Sequence, residues 1–464
     1  MGAPNQKISL PRIDDLLVTI ESSMLIFSEE KNYERKSMFL SNIDQGLNFD
    51  VQSIHFFAAN PDFPPEIAFK KIENALRKLM VTYEFLAGRI KMNTDSGRME
   101  FDCNNAGMGF VMARSERTLD ELGDLVRLNP AFQSLVTKRL DCLSPGSHPL
   151  CIFQMTSFKC GGFSMGVLAN HTLFDGGSTR IFSQNLAAIA GDKPLAVIPY
   201  NDRKLLAARS PPLVKFLHHE RLKLNVPLAP HATTDANFNI FDNSSSDLDL
   251  KVFHLSPDDL LHLKSKANSG PSSGKHRFTS FSIVVAHIWR CKALSFEAED
   301  NLERESTLLF AVDIRQRLNP PLPVGYNGNA VLSAYAKAKC RDIAEAPLSR
   351  LVEMVAEGTA RMTDEYVRSA IDWVELNKGF PNGEFMISSW WRLGLGEVEY
   401  PWGKSVYSCP LVSRRKDIII LHPDIADRNS DGKAGSRGGG VNVSIALPHK
   451  EMIMFESLFY EHLA

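Results

Sequence analysis

The chain lacks several things that would assign it quickly. Its seven cysteines, Cys103, Cys142, Cys151, Cys160, Cys291, Cys340 and Cys409, form no CxxC pair and lie at no zinc-ligand spacing to histidine, so they read as reduced structural thiols and no metal centre is expected. No apolar stretch approaches the ~20 residues a bilayer span needs; the longest, Phe281 to Trp289 and Ile418 to Leu421, are far shorter. The start, MGAPNQKISL, has no apolar h-region, and Gln6 stands where a myristoylation signal wants Ser or Thr. Neither sign of charge dominates: 52 Lys plus Arg face 54 Asp plus Glu, a formal net charge of −2, which offers no field for nucleic acid. A cytoplasmic protein acting on small molecules is the expectation.

What is present is a chain of 464 residues, 44% hydrophobic, long enough for two large domains without disulfide or metal staples. PPEIAFKKIENALRKLM opens on Pro64 and Pro65 and stripes Ile72, Ala75, Leu76 and Leu79 along one face, which predicts an amphipathic helix. From Cys151 to Ala169 short apolar runs are broken at Gly161 and Gly162, predicting two strands and a tight turn. After Gly177 the spacing Phe182, Leu186, Ile189 turns helical. Periodicity fades between Tyr200 and Leu250, where Pro211, Pro212, Pro227 and Pro230 interrupt it. The segment 201–235 therefore reads as a crossover between a domain over 1–200 and another over 236–464, each mixing strands and helices.

The strand that ends near Asn170 runs into His171-Thr172-Leu173-Phe174-Asp175-Gly176-Gly177. An imidazole close to neutrality, a carboxylate four residues on and two glycines that allow close approach make a candidate acid–base site. Sequons occur at Asn170, Asn243 and Asn442, and a glycan on Asn170 would block this unit. His218-His219 resembles a metal pair but has no third ligand and reads as solvated, while Cys151 and Cys160 read as strand residues rather than nucleophiles.

NHTLFDGG, with LSNIDQ (Leu40 to Gln45), FLAGR (Phe85 to Arg89), RFTSFSIVVAHIWR (Arg277 to Arg290), VDIRQRLNPPLPVGYNGNAV (Val312 to Val331), SSWWRL (Ser388 to Leu393) and the closing GGGVNVSIALP, resembles the BAHD family of plant acyl-CoA-dependent acyltransferases over nearly the whole chain. The family's second hallmark, DFGWG, is altered here to Glu399-Tyr400-Pro401-Trp402-Gly403. The resemblance implies an α/β fold of two chloramphenicol-acetyltransferase-like domains, mixed sheets covered by helices, with an active-site channel between them. It implies acyl-CoA as co-substrate, no permanently bound cofactor, a small-molecule acceptor and a monomer. His171 would be the general base in a direct transfer, with Asp175 holding its geometry. Glu399 would join the catalytic set chiefly as the structural ion-pair partner of Arg315. Trp402 would either donate its indole N–H to the oxyanion or pack the channel wall. Lys275, Arg277, Thr279 and Ser282 would meet CoA, and Arg392 the acceptor. The acyl group expected is hydroxycinnamoyl or similar and the acceptor an alcohol; an amine acceptor, or a non-catalytic wax-elongation partner of the same fold, are the alternatives. A peptide-synthetase condensation domain normally shows a doubled His, whereas Asn170 holds the preceding place here.

Overall fold

The computed structural model describes residues 13–30, 34–127, 129–141, 143–144, 147–223, 247–269, 278–296, 301–411, 415–425 and 439–463. Two six-stranded mixed sheets form its frame. The first runs in the order Val18–Ile26, Met108–Ser115, Cys151–Phe158, Phe163–Asn170, Asp50–Phe57, Tyr407–Pro410. Its pairs are antiparallel except for Met108–Ser115 with Cys151–Phe158. The second runs Leu248–Leu255, Val441–Pro448, Ile418–Pro423, Phe385–Ser389, Glu305–Asp313, Val331–Lys339, with Phe385–Ser389 parallel to both of its neighbours.

Local sequence explains these elements. Pro64 caps and Pro65 opens the helix Pro65–Thr82, where a missing amide costs nothing, and Ile72, Ala75, Leu76 and Leu79 are all buried on its inner face. Cys151–Phe158 turns into Phe163–Asn170 through Gly161, whose φ of +83° suits glycine. Ser256 makes a capping box with Asp259 at the start of the helix Pro257–Asn268. The apolar run beginning at Thr279 becomes the helix Ser280–Leu294, buried almost all round within the second core.

Two departures from the expected organisation bear on the site. Tyr407–Pro410, from the second half of the chain, pairs with Ser53–Phe56 and so extends the first sheet. The segment just before it is thereby delivered to the first lobe. The crossover is also built into the protein where it is described, up to residue 223. Arg203 is fully buried, Arg209 pairs with Asp372 at 2.6 Å, and His218 is buried rather than solvated. The His218 ring lies between Glu220 (2.9 Å) and Ser369 (3.0 Å), while His219 is exposed. Residues 224–235 of the crossover lie outside the described residues.

Burial holds His55 and His422 down to about 4, and His287 to about 3, the last with Lys266, Arg290 and His462 adding repulsion. Each stays neutral in the folded chain while the unfolded chain takes up a proton below its ordinary value. The stability they contribute is complete above pH ~6.5 and is lost as pH falls toward 4, at about 1.4 kcal/mol per pH unit for each ring. Thermal melts should therefore be level from pH 8 to 7 and fall steeply between 6 and 4.5; a constant melting temperature over that lower range would contradict buried neutral rings.

Candidate active site

His171 is the first residue past the strand Phe163–Asn170, and its amide donates to Phe49 O at 2.8 Å. Leu173 N closes a turn onto Asn170 O (3.0 Å), after which Asp175 caps the helix Gly176–Ala190 by accepting from Ser178 N at 2.8 Å. The local pattern is strand, tight turn, capped helix, as the spacing predicts.

The half-buried His171 ring packs against Phe49 at 5.2 Å between centroids. Its Nδ1 lies 3.2 Å from Asn329 Oδ1, and Nε2 has no hydrogen-bond partner among the described residues. Burial pulls the imidazole below its ordinary value, so it is neutral at pH 7, and Asp175, Asn329 and Asp44 only partly oppose that. Asn329 Nδ2 donates to Asp44 Oδ1 (2.9 Å) and to His171 O (2.9 Å).

Asp175 turns away from the imidazole. It forms a two-pronged pair with Arg315, Nη1 to Oδ2 and Nη2 to Oδ1, both 2.8 Å, and accepts from Ala330 N at 2.8 Å. Burial works against the Arg315 charge, but Asp175 and then Asp313 outweigh it and hold the guanidinium above its ordinary value. Arg315 Nη2 also donates to Ser178 Oγ (2.9 Å) and Gly328 O (3.1 Å). These bonds clasp residues of the first lobe to the 313–330 segment of the second, so His171 stands at the seam.

The two glycines serve packing. A Cβ on Gly176 would stand 2.7 Å from Leu393 Cδ1, and one on Gly177 would stand 3.2 Å from Arg315 Nη1. Leu393 belongs to SSWWRL, so this contact brings that segment beside the His171 turn. Behind the turn, Arg203 donates to Thr172 O (2.5 Å) and Leu173 O (2.8 Å), pairs with Asp44 (3.1 Å), and lies over the rings of Phe85 and Phe101.

The model of the Transferase family matches residues 16–462. The chain is a BAHD acyltransferase. It is 55% identical over 467 residues, 100% of both chains, to acyltransferase GLAUCE of Arabidopsis thaliana. It is 31% identical over 427 residues, 91% of this chain and 88% of the other, to omega-hydroxypalmitate O-feruloyl transferase of the same plant. Among solved structures, vinorine synthase shares the fold with a TM-score of 0.72, covering 95% of this chain and 98% of that one at 21% identity. Acyl-CoA is the family's co-substrate, and the two-lobed chloramphenicol-acetyltransferase-like architecture is confirmed.

Two expectations for this acyltransferase fail on geometry. The Glu399–Arg315 pair does not form: Arg315 spends its fork on Asp175, and Glu399 is exposed. Trp402 does not sit beside His171. Because Tyr407–Pro410 runs along Ser53–Phe56, the preceding Tyr400–Gly403 turn lands at the Phe57 end of the sheet. There the Trp402 ring stacks on Tyr400 (5.3 Å) and meets Phe163 (5.7 Å) and Phe57 (6.0 Å). Phe163 and Asn170 are opposite ends of one strand, which at ~3.3 Å per residue puts the indole roughly 20 Å from His171. Trp402 is buried there among the hydrophobic core residues of the first sheet.

Thr279 and Ser282 bond to each other (2.9 Å) and cap the helix Ser280–Leu294, while Lys275 and Arg277 lie outside the described residues. Arg392 is exposed, with its guanidinium over the Trp391 ring at 4.6 Å. Asn170 is buried, its side chain donating to Asn48 (2.9 Å) and accepting from Thr172 (2.6 Å), so its sequon has no room for a glycan; Asn442 is buried too. Cys151 is a core thiol pushed well up by burial, and Cys160 is exposed; among the described residues six cysteines are free. Among the described residues no helix is long and apolar enough to cross a membrane, and no metal-ligand cluster occurs.

Proposed function

We propose that this enzyme moves a hydroxycinnamoyl-type group from CoA to an aliphatic hydroxyl, with His171 as the general base. The observation that carries the base assignment is the contact of 3.2 Å between His171 Nδ1 and Asn329 Oδ1. An amide oxygen only accepts, so it keeps the ring proton on Nδ1 and leaves the Nε2 lone pair for the acceptor O–H. Proton removal at Nε2 as the hydroxyl attacks the thioester carbonyl, then return of that proton to the departing CoA thiolate, completes the cycle without a covalent enzyme intermediate. The O-feruloyl transferase among the relatives supports the choice of donor and of an aliphatic hydroxyl acceptor.

The test pairs feruloyl-, caffeoyl- and acetyl-CoA with ω-hydroxy fatty acids, fatty alcohols and an aliphatic amine, following free thiol. Release above the hydrolysis background is expected with hydroxycinnamoyl donors and hydroxyl acceptors; preference for the amine would overturn the acceptor class. Replacing Asn329 with Ala should lower kcat about 10- to 100-fold, with KM little changed, because the ring loses the partner that fixes its tautomer. Steady-state kinetics beside a melting curve separate that effect from unfolding.

A further inference from the structure

Resting on the base reading above, we infer that Asp44 is a positioning residue for His171, acting through the side-chain amide of Asn329. The amide has two ends with opposite consequences. With Oδ1 toward the ring, Nδ1 carries the proton and Nε2 is a base. Turned over, Nδ2–H would donate to Nδ1, the proton would move to Nε2, and the nitrogen that must abstract a proton would have none of its lone pair free. Which end faces the imidazole therefore decides whether the site can work.

Asp44 decides it. Its Oδ1 lies 2.9 Å from Asn329 Nδ2 and 3.3 Å from Asn329 N, and a carboxylate accepts and never donates when ionised. An amide oxygen turned toward it would meet another oxygen. The carboxylate is itself fixed: Oδ2 accepts from Ser41 N (2.9 Å) and Ser41 Oγ (2.8 Å) in the capping box of Asn42–Gln45. Arg203 balances its charge at 3.1 Å, with both side chains fully buried. Arg203 also holds Thr172 O and Leu173 O, so one buried ion pair sets both the turn that carries His171 and the amide that orients its ring. His171 O at 2.9 Å and Thr172 O at 3.4 Å also accept from Asn329 Nδ2, so removing Asp44 weakens the preference without abolishing it.

The test labels the histidines of the full chain with 15N and reads the ring nitrogens of His171, assigned by difference from His171→Gln. In the wild type Nδ1 should be the protonated nitrogen. In Asp44→Asn, whose amide can present either an oxygen or an N–H to Asn329, the ring signals should shift toward the other tautomer. The kcat should fall by about tenfold or more at unchanged KM, beyond what the melting curve accounts for. A wild-type ring protonated on Nε2, or an Asp44→Asn protein with the wild-type ring spectrum, overturns the proposal; the wild-type measurement decides even where that variant does not fold. Failure of the base reading itself would look different, with the ring correctly protonated and His171→Ala still turning over.

Discussion

Replacing His171 with Ala should reduce thiol release by ~10²- to 10⁴-fold, the usual worth of a positioned general base, with KM for acyl-CoA little changed. The loss should fall on kcat because, in the proposed mechanism, the imidazole takes the acceptor proton only as the new C–O bond forms and so contributes more to the transition state than to substrate binding. The variant should fold, since the ring is half-buried, its one side-chain hydrogen bond among the described residues is to Asn329, and the backbone amide of residue 171 keeps its bond to Phe49 O. In the wild type, kcat/KM should stay level from pH 8 down to the ordinary imidazole value and decline only below it, because burial holds His171 below 6.5 and only the neutral ring is a base. His171→Ala turning over within about a factor of three of the wild type would remove His171 from the mechanism, since general base catalysis is worth at least ~10²-fold.

How much of this was legible in the sequence follows from how local each signal is. The strand, turn and helix around His171 were readable because each rests on spacing within a few residues: Phe182, Leu186 and Ile189 at helical intervals, Gly161 at a turn. Asp175 as a residue that holds geometry was also expected. The family pattern implies Glu399 as the partner of Arg315, whereas the observed pair spans 140 residues to Asp175. Nothing in the spacing of either residue announces that closure. The same holds for Trp402, whose place is set by a strand of four residues returning to the first sheet. Register across a lobe boundary depends on tertiary pairing, which periodicity does not encode. Asp44, Arg203 and Asn329 were overlooked although LSNIDQ and YNGNAV were noted, because an ordinary Asp, Arg or Asn shows its importance only when its partners are known.

The second large effect concerns the clasp between the lobes. Asp175→Ala should destabilise the protein by about 3 to 5 kcal/mol, because it takes the two-pronged partner from the buried Arg315 charge and leaves it only the more exposed Asp313. It also removes the acceptor for Ala330 N and the N-cap of Gly176–Ala190, the latter worth ~1 kcal/mol. Arg315→Ala should cost a similar amount for the mirror reason, leaving a buried carboxylate with its strongest donors gone. The double variant should lose far less than the sum of the two, since neither charge is then left alone; urea unfolding of all four proteins gives the coupling energy. Glu399→Gln is the internal control. The side chain is exposed and takes no part in the Arg315 fork, so its loss should move stability by less than about 0.5 kcal/mol. Should Glu399→Gln instead destabilise as Asp175→Ala does, the exposed placement of that residue would be wrong, and with it the assignment of the clasp to Asp175. Where Asp175→Ala remains folded, the damage should appear as a lower kcat with an altered temperature dependence, because the carboxylate holds the turn that carries His171 without touching the reacting atoms.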